Sequence, residues 1–446
     1  MTNPTRAATT DRPADLSSTI TSRDRVLTSL AHRQPDRVPI DFGGTVVSSL
    51  HVSCVAALRD YFGLEKRLVK ACEPYQMLGT LDEDLKQAIG IDVEPVESPS
   101  TAFGYCNRDW KPWRMPDGLE ILVSEEFRVT TDPNGDILIY PEGDLTAPPS
   151  GRMPKDGYFF DVIIRQPPII EEELNPQDNL EEFKPFSEKD IEQLRQAAVR
   201  ARATGRAVIM GGAGTSFGDI GQIPAPALKH PKGIRDVAEW YMSTTSRRDY
   251  VNQVFSAQCE TGIENLKRLH HAAGDLIDVM VVSGTDFGTQ TSSFCSVKTF
   301  QELYLPYCRK VGRWIHENTE WKTFAHSCGS VERFIPSFIE AGIDILNPVQ
   351  CSAVGMGPEH LKATYGDRIA FWGGEWTRSM CCHLAYRKRF ASRFWNVAAS
   401  SRATAVLCST PFTTYRRAHR WPILWPCWKR CTSSTVCPWK RPEGAK

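Results

Sequence analysis

The chain has 446 residues, enough for one enlarged domain or two ordinary ones. Its 53 basic and 53 acidic residues balance, which argues against a nucleic-acid partner, and no apolar run reaches the ~18 residues of a membrane span. The first 20 or so residues are polar and lack the apolar centre of a signal peptide, so they read as a disordered lead-in to a cytoplasmic chain with reduced cysteines.

In chain order, residues 22–31 read as a short helix with Val26, Leu27 and Leu30 on one face. A strand over 37–42 ends in Asp41, Phe42, Gly43 and Gly44. A carboxylate beside two glycines at a strand end marks either a site, since glycine lets a ligand approach the backbone, or a capped turn. His51 opens a helix to Tyr61, residues 77–89 read as a second helix, and 91–96 as a strand. From about 103 to 142, short β-rich runs alternate with Asp-Gly and Asn-Gly turns, which predicts an antiparallel hairpin insertion held to the body by Trp110 and Trp113. Residues 146–168 are a Pro- and Gly-rich connection.

Parallel texture resumes with a helix over 190–204 and a strand over 207–210 that ends in glycines without a dinucleotide or P-loop pattern. A long helical region over 234–271 leads to a strand over 275–282 and then to Asp286 and Gln290. An Asp at a strand end among small residues suits general acid–base work or substrate binding, and equally suits a turn cap. A helix spans 297–318. The next unit, WKTFAHSCGSVERFIPSFIEAGIDILNPVQ, reads strand, turn, helix, strand, with Ser330 as a helix cap. It puts His326 and Cys328 together at the C-terminal end of a parallel strand, where α/β barrels keep their chemistry. A helix over 358–365 and a strand over 368–373 follow. Seven parallel strands are counted; an (β/α)8 TIM-like barrel needs eight, so the last should come from the tail.

These stretches carry a resemblance. RDRVLTSLAHRQPDRVPIDFGGT (23–45), TDFGTQ (285–290), HSCGSV (326–331), AGIDILNPVQCS (341–352) and YGDRIAFWGG (365–374) resemble the uroporphyrinogen decarboxylase superfamily, which includes the methylcobalamin:thiol methyltransferases. The resemblance implies a TIM-barrel-like domain over 21–374 acting on a small molecule at the C-terminal strand ends. The decarboxylases' arginine-bearing MRQAGR-like loop is absent: residues 43–49 contain no arginine. The methyltransferases bind zinc through an HxC pair and a distant third ligand. His326 and Cys328 match the pair, and Cys351 is the candidate third. Zinc takes N and S ligands and keeps an open position where a substrate thiol is held as the nucleophilic thiolate. On its own, HxC also recurs by chance. The resemblance further implies Asn347 and Gln350 as pocket-lining residues and a corrinoid on a partner protein as methyl donor; the strand-end reading adds Gly43, Gly44 and Gln290 as substrate-binding and Asp41 and Asp286 as catalytic candidates. The alternative is porphyrinogen decarboxylation without a metal, with Asp41 or Asp286 facing the pyrrole nitrogens.

After Gly374 the chain departs from the family. Between Trp376 and Lys446 there are 14 Lys or Arg against the single acid Glu443, with six of the fourteen cysteines and six of the twelve tryptophans. Codons can be chosen so that one consistent shifted frame turns 375–389 into VDTQHVLPFGIPEEV, 408–416 into FDAFHNIQ and 417–431 into AGTPVADLVALLEAV. The first two restore family text and the third an amphipathic helix. The tail therefore reads as out-of-frame text, with the eighth strand missing or disrupted and the chain a candidate inactive gene product. As real protein, its cysteines would suggest a metal cluster and its arginines a nucleic-acid arm.

Overall fold

A computed structural model describes residues 20–373 and the two-residue strand Val406–Leu407. Seven parallel strands form one curled sheet: β1 (Val93–Pro95), β2 (Ala207–Met210), β3 (Val279–Ser283), β4 (Lys322–His326), β5 (Ile345–Asn347), β6 (Ala370–Trp372) and β7 (Val406–Leu407), in sequential order. Helices lie in each connection from β1 to β6, as parallel pairing requires a crossover.

The strands are apolar on both faces and the residues sort by parity. Ala207, Ile209, Phe324, Ile345, Ala370 and Trp372 pack into one cluster on the concave face, while Val208, Met210, Ala325, Leu346 and Phe371 join the helical layer outside. This is the near-continuous hydrophobic signature of a sheet buried on both sides. The helix Ser22–Leu30 sends Val26 and Leu30 into the concave cluster. Ion pairs hold that helix: Arg25 reaches Asp92 at 2.6 Å and Arg23 reaches Asp278 at 2.9 Å, both carboxylates lying just before a strand.

The fold is α/β with a barrel-like curl, but the described sheet has seven strands rather than eight. The predicted strand 37–42 is reduced to one bridging residue, Ile40, whose carbonyl accepts from the Asp92 N–H at 2.8 Å. Pro39 lies inside the predicted strand, immediately before Ile40, and proline cannot donate to a ladder. The tail does supply a strand after β6: Val406 pairs with Phe371 and Leu407 with Trp372. The out-of-frame reading expects the last strand missing or disrupted, and these two residues are what is described of it. The rest of that reading, the tail cysteines and arginines, and the N-terminal lead-in lie outside the described residues.

The predicted helix over 77–89 splits into a short strand Leu78–Gly79 and a helix Glu83–Ile89, because Leu78 pairs back on Glu73. The hairpin insertion is larger than predicted. Lys111–Arg114 pairs with Glu120–Val123, and Val129–Thr131 and Ile137–Ile139 continue into Gly151–Met153 and Asp161–Val162, inside the predicted connection. Trp113 meets Phe127 edge-on at 5.1 Å, and Lys70 lies over the Trp110 ring at 5.3 Å. No described helix is long and apolar enough to cross a membrane.

Candidate metal centre

The alternation that buries Phe324 and Ile345 inside the sheet carries two residues further to His326 and Asn347, at the C-terminal ends of β4 and β5. Both are buried, as is Cys328 just past the strand. His326 Nε2 lies 3.2 Å from Cys328 Sγ, and His326 Nδ1 lies 2.6 Å from Asn347 Oδ1.

Asp286 completes the group from the loop after β3. Its Oδ1 accepts the Cys328 N–H at 2.7 Å and stands 3.7 Å from His326 Nε2. Two glycines allow this approach. A side chain at Gly288 would stand 2.5 Å from the Cys328 carbonyl oxygen, and one at Gly329, where φ is +85°, would stand 2.5 Å from the Gly288 carbonyl carbon. Ser327 Oγ accepts the Phe287 N–H at 2.9 Å, a second clamp between the same loops.

Asp286, His326 and Cys328 thus offer a carboxylate oxygen, an imidazole nitrogen and a sulfur, all within 4.8 Å of one another. Ligands on a tetrahedral zinc with bonds of about 2.0–2.3 Å stand about 3.3–3.8 Å apart. The Nε2···Oδ1 separation of 3.7 Å falls in that span and the Nε2···Sγ separation of 3.2 Å lies just under it. The residues fit the metal by donor type, with all three donor atoms within 4.8 Å of one another.

The other predicted site residues take different places. Cys351 is half-buried beyond β5, its Sγ 3.6 Å from the Val349 carbonyl, and is not one of the three clustered groups; Asp286 stands as the third. Asn347 has no exposed surface and donates Nδ2–H to the Trp372 carbonyl at 2.8 Å, so it supports the site from behind. Gln290 is exposed and donates to the Ser352 carbonyl at 2.6 Å, tying two loops of the face together, and Gln350 is buried in the second of them. Ser330 is no helix cap: its Oγ donates to the Val354 carbonyl at 2.6 Å.

Asp41 lies fully buried under the site. Its Oδ1 accepts the Gly44 N–H at 2.8 Å and its Oδ2 accepts the Trp372 indole N–H at 2.9 Å. Burial nevertheless pushes its carboxyl up to about 6. Gly44 is required by packing, since a side chain there would stand 2.6 Å from Asp41 Oδ1. Gly43, at φ +94°, turns the chain and donates to the Ser48 carbonyl.

Sequence reading missed Asp219, in the loop after β2. Burial, reinforced by Asp286, pushes it up to about 7. Its Oδ1 accepts the Gly221 N–H at 2.8 Å, and its Oδ2 would stand 2.6 Å from a side chain placed on Gly284. That loop has no hydrophobic period, so nothing in the sequence marks one of its acids above another.

No family model matches the chain, and no curated protein matches it. Among solved structures, the chain is similar to a methyltransferase from Methanosarcina mazei, with a TM-score of 0.47 and 13% identity over 89% of this chain and 95% of that one. A likeness this slight carries no argument about chemistry.

Proposed function

We propose that the chain is a methyl-transfer enzyme that holds zinc through His326, Cys328 and Asp286 and acts on a thiol. The observation that carries this reading is the three-donor cluster at the C-terminal end of a curled parallel sheet. When bound, zinc would supply Lewis acidity that keeps a substrate thiol as its thiolate. The protein's own groups do the rest. The Cys328 N–H orients the Asp286 carboxylate, and Tyr241 Oη donates to the Asp286 carbonyl at 3.0 Å, holding that loop in place. Asp219, at about 7, is the neighbouring carboxylate able to exchange a proton near neutral pH. By the sequence resemblance, the donor is a corrinoid on a partner protein.

Two features speak against porphyrinogen decarboxylation. Both Asp41 oxygens are already engaged by protein donors, and the side chain is fully buried. The loop over 43–49 has no arginine for substrate carboxylates.

Metal analysis of the purified chain tests the reading. One equivalent of zinc per chain is expected, lost in Cys328→Ser while the fold persists by circular dichroism. A wild-type chain that takes up no zinc, or a Cys328→Ser variant that retains it, would sink the proposal.

A further inference from the structure

The surroundings of Asn347 decide how His326 is protonated. One end of the buried amide lies 2.8 Å from the Trp372 main-chain carbonyl, an atom that only accepts, so that end is the NH2. The oxygen therefore faces His326 Nδ1, at 2.6 Å. An amide oxygen also only accepts, so Nδ1 carries the proton. In the neutral ring Nε2 is left with its lone pair, and Nε2 is the nitrogen that faces Cys328 Sγ at 3.2 Å and Asp286 at 3.7 Å.

We propose that Asn347 is a positioning residue that fixes His326 as the Nδ1–H tautomer and aims the Nε2 lone pair at the centre of the Asp286–His326–Cys328 cluster. The device is anchored at both ends. Trp372, whose carbonyl orients the amide, is itself held by its indole N–H on Asp41. Asn347 and Trp372 lie on neighbouring strands, β5 and β6, so the sheet carries the relay. The consequence for metal affinity rests on the zinc reading, whereas the tautomer does not. Outer partners of this kind typically change metal affinity about 10–100-fold.

The test uses the full chain, metal-free, with 15N-labelled histidine, at a pH where the ring is neutral. The His326 resonances are assigned by their loss in His326→Gln. Wild type is expected to show a protonated Nδ1 and a bare Nε2. Asn347→Ala should abolish that preference. Asn347→Asp keeps an acceptor for the ring while losing the donor to Trp372, and should restore it. Zinc affinity, read by chelator competition, should fall about 10–100-fold in Asn347→Ala and recover in Asn347→Asp. A wild-type His326 protonated at Nε2 overturns the proposal even if the chain binds zinc. An unchanged tautomer in a folded Asn347→Ala overturns it as well. The expected tautomer in a chain that binds no zinc upholds it and removes the zinc reading alone.

Discussion

Asp41 shows how a fully buried carboxylate is tied into the frame of the site by its hydrogen bonds. Folding raises its carboxyl from 3.8 to about 6, through burial that its three hydrogen bonds only partly offset. The native state therefore binds this proton more tightly than the unfolded chain. The stabilising contribution is full below pH 3.8 and lost as pH rises through about 6. A shift of this size corresponds to about 3 kcal/mol. Asp41→Asn has no proton to release, so its urea midpoint should vary less between pH 4 and 7 than that of the wild type. Equal slopes in the two proteins would refute the assignment.

Two loops and their glycines make the centre at the scale of elements. β3 and β4 are neighbours, but pairing alone leaves the loops beyond them free to splay. The contact of Gly288 with Gly329 brings Asp286 onto the Cys328 N–H. Gly288→Ala would place a carbon 2.5 Å from the Cys328 oxygen and 2.7 Å from the Ser330 nitrogen, both backbone atoms, so the loops must part. Zinc affinity should drop roughly tenfold or more by chelator competition, with the strands themselves unchanged by circular dichroism. Affinity equal to wild type would mean that the loops do not position the carboxylate. The same element-scale reasoning explains why the helix 297–318 breaks in two at Tyr304, with Pro306 in the first turn of the second piece: proline is tolerated in a first turn and not inside a helix.

The sheet's edge is a property of the whole molecule. Among the described residues, β1 ends one side, extended by the single Ile40 bridge, and β7 adds two residues at the other. Unpaired N–H and C=O groups on a sheet edge are a liability for association. The out-of-frame reading of the tail remains a proposal, and it concerns this edge. Resequencing across the codons for 372–389 should show one base missing or two extra. The repaired chain should then melt several degrees higher than the present one, an eighth full strand adding ladder and core contacts. An intact frame would refute it and make the tail's cysteines metal candidates again.

Much of the architecture was legible in the sequence, for a local reason. Strand parity, helical spacing and turn residues act over a few positions, so six of the predicted parallel strands, the helix Pro358–Tyr365 and the pairing of His326 with Cys328 follow from nearby residues alone. The failures are those where a distant partner decided. Leu78–Gly79 became a strand by pairing, and residues 37–42 kept a single bridge. The third group of the centre is Asp286, brought 42 residues along the chain by the close approach of two glycines. Asn347 gives its amide N–H to a carbonyl 25 residues away, a partner that no local pattern announces. The sequence by itself determined which side chains alternate into the concave face. Only the tertiary structure decided which of them meet, because hydrogen-bond partners and loop contacts are set by closure of the sheet and leave no period in the chain.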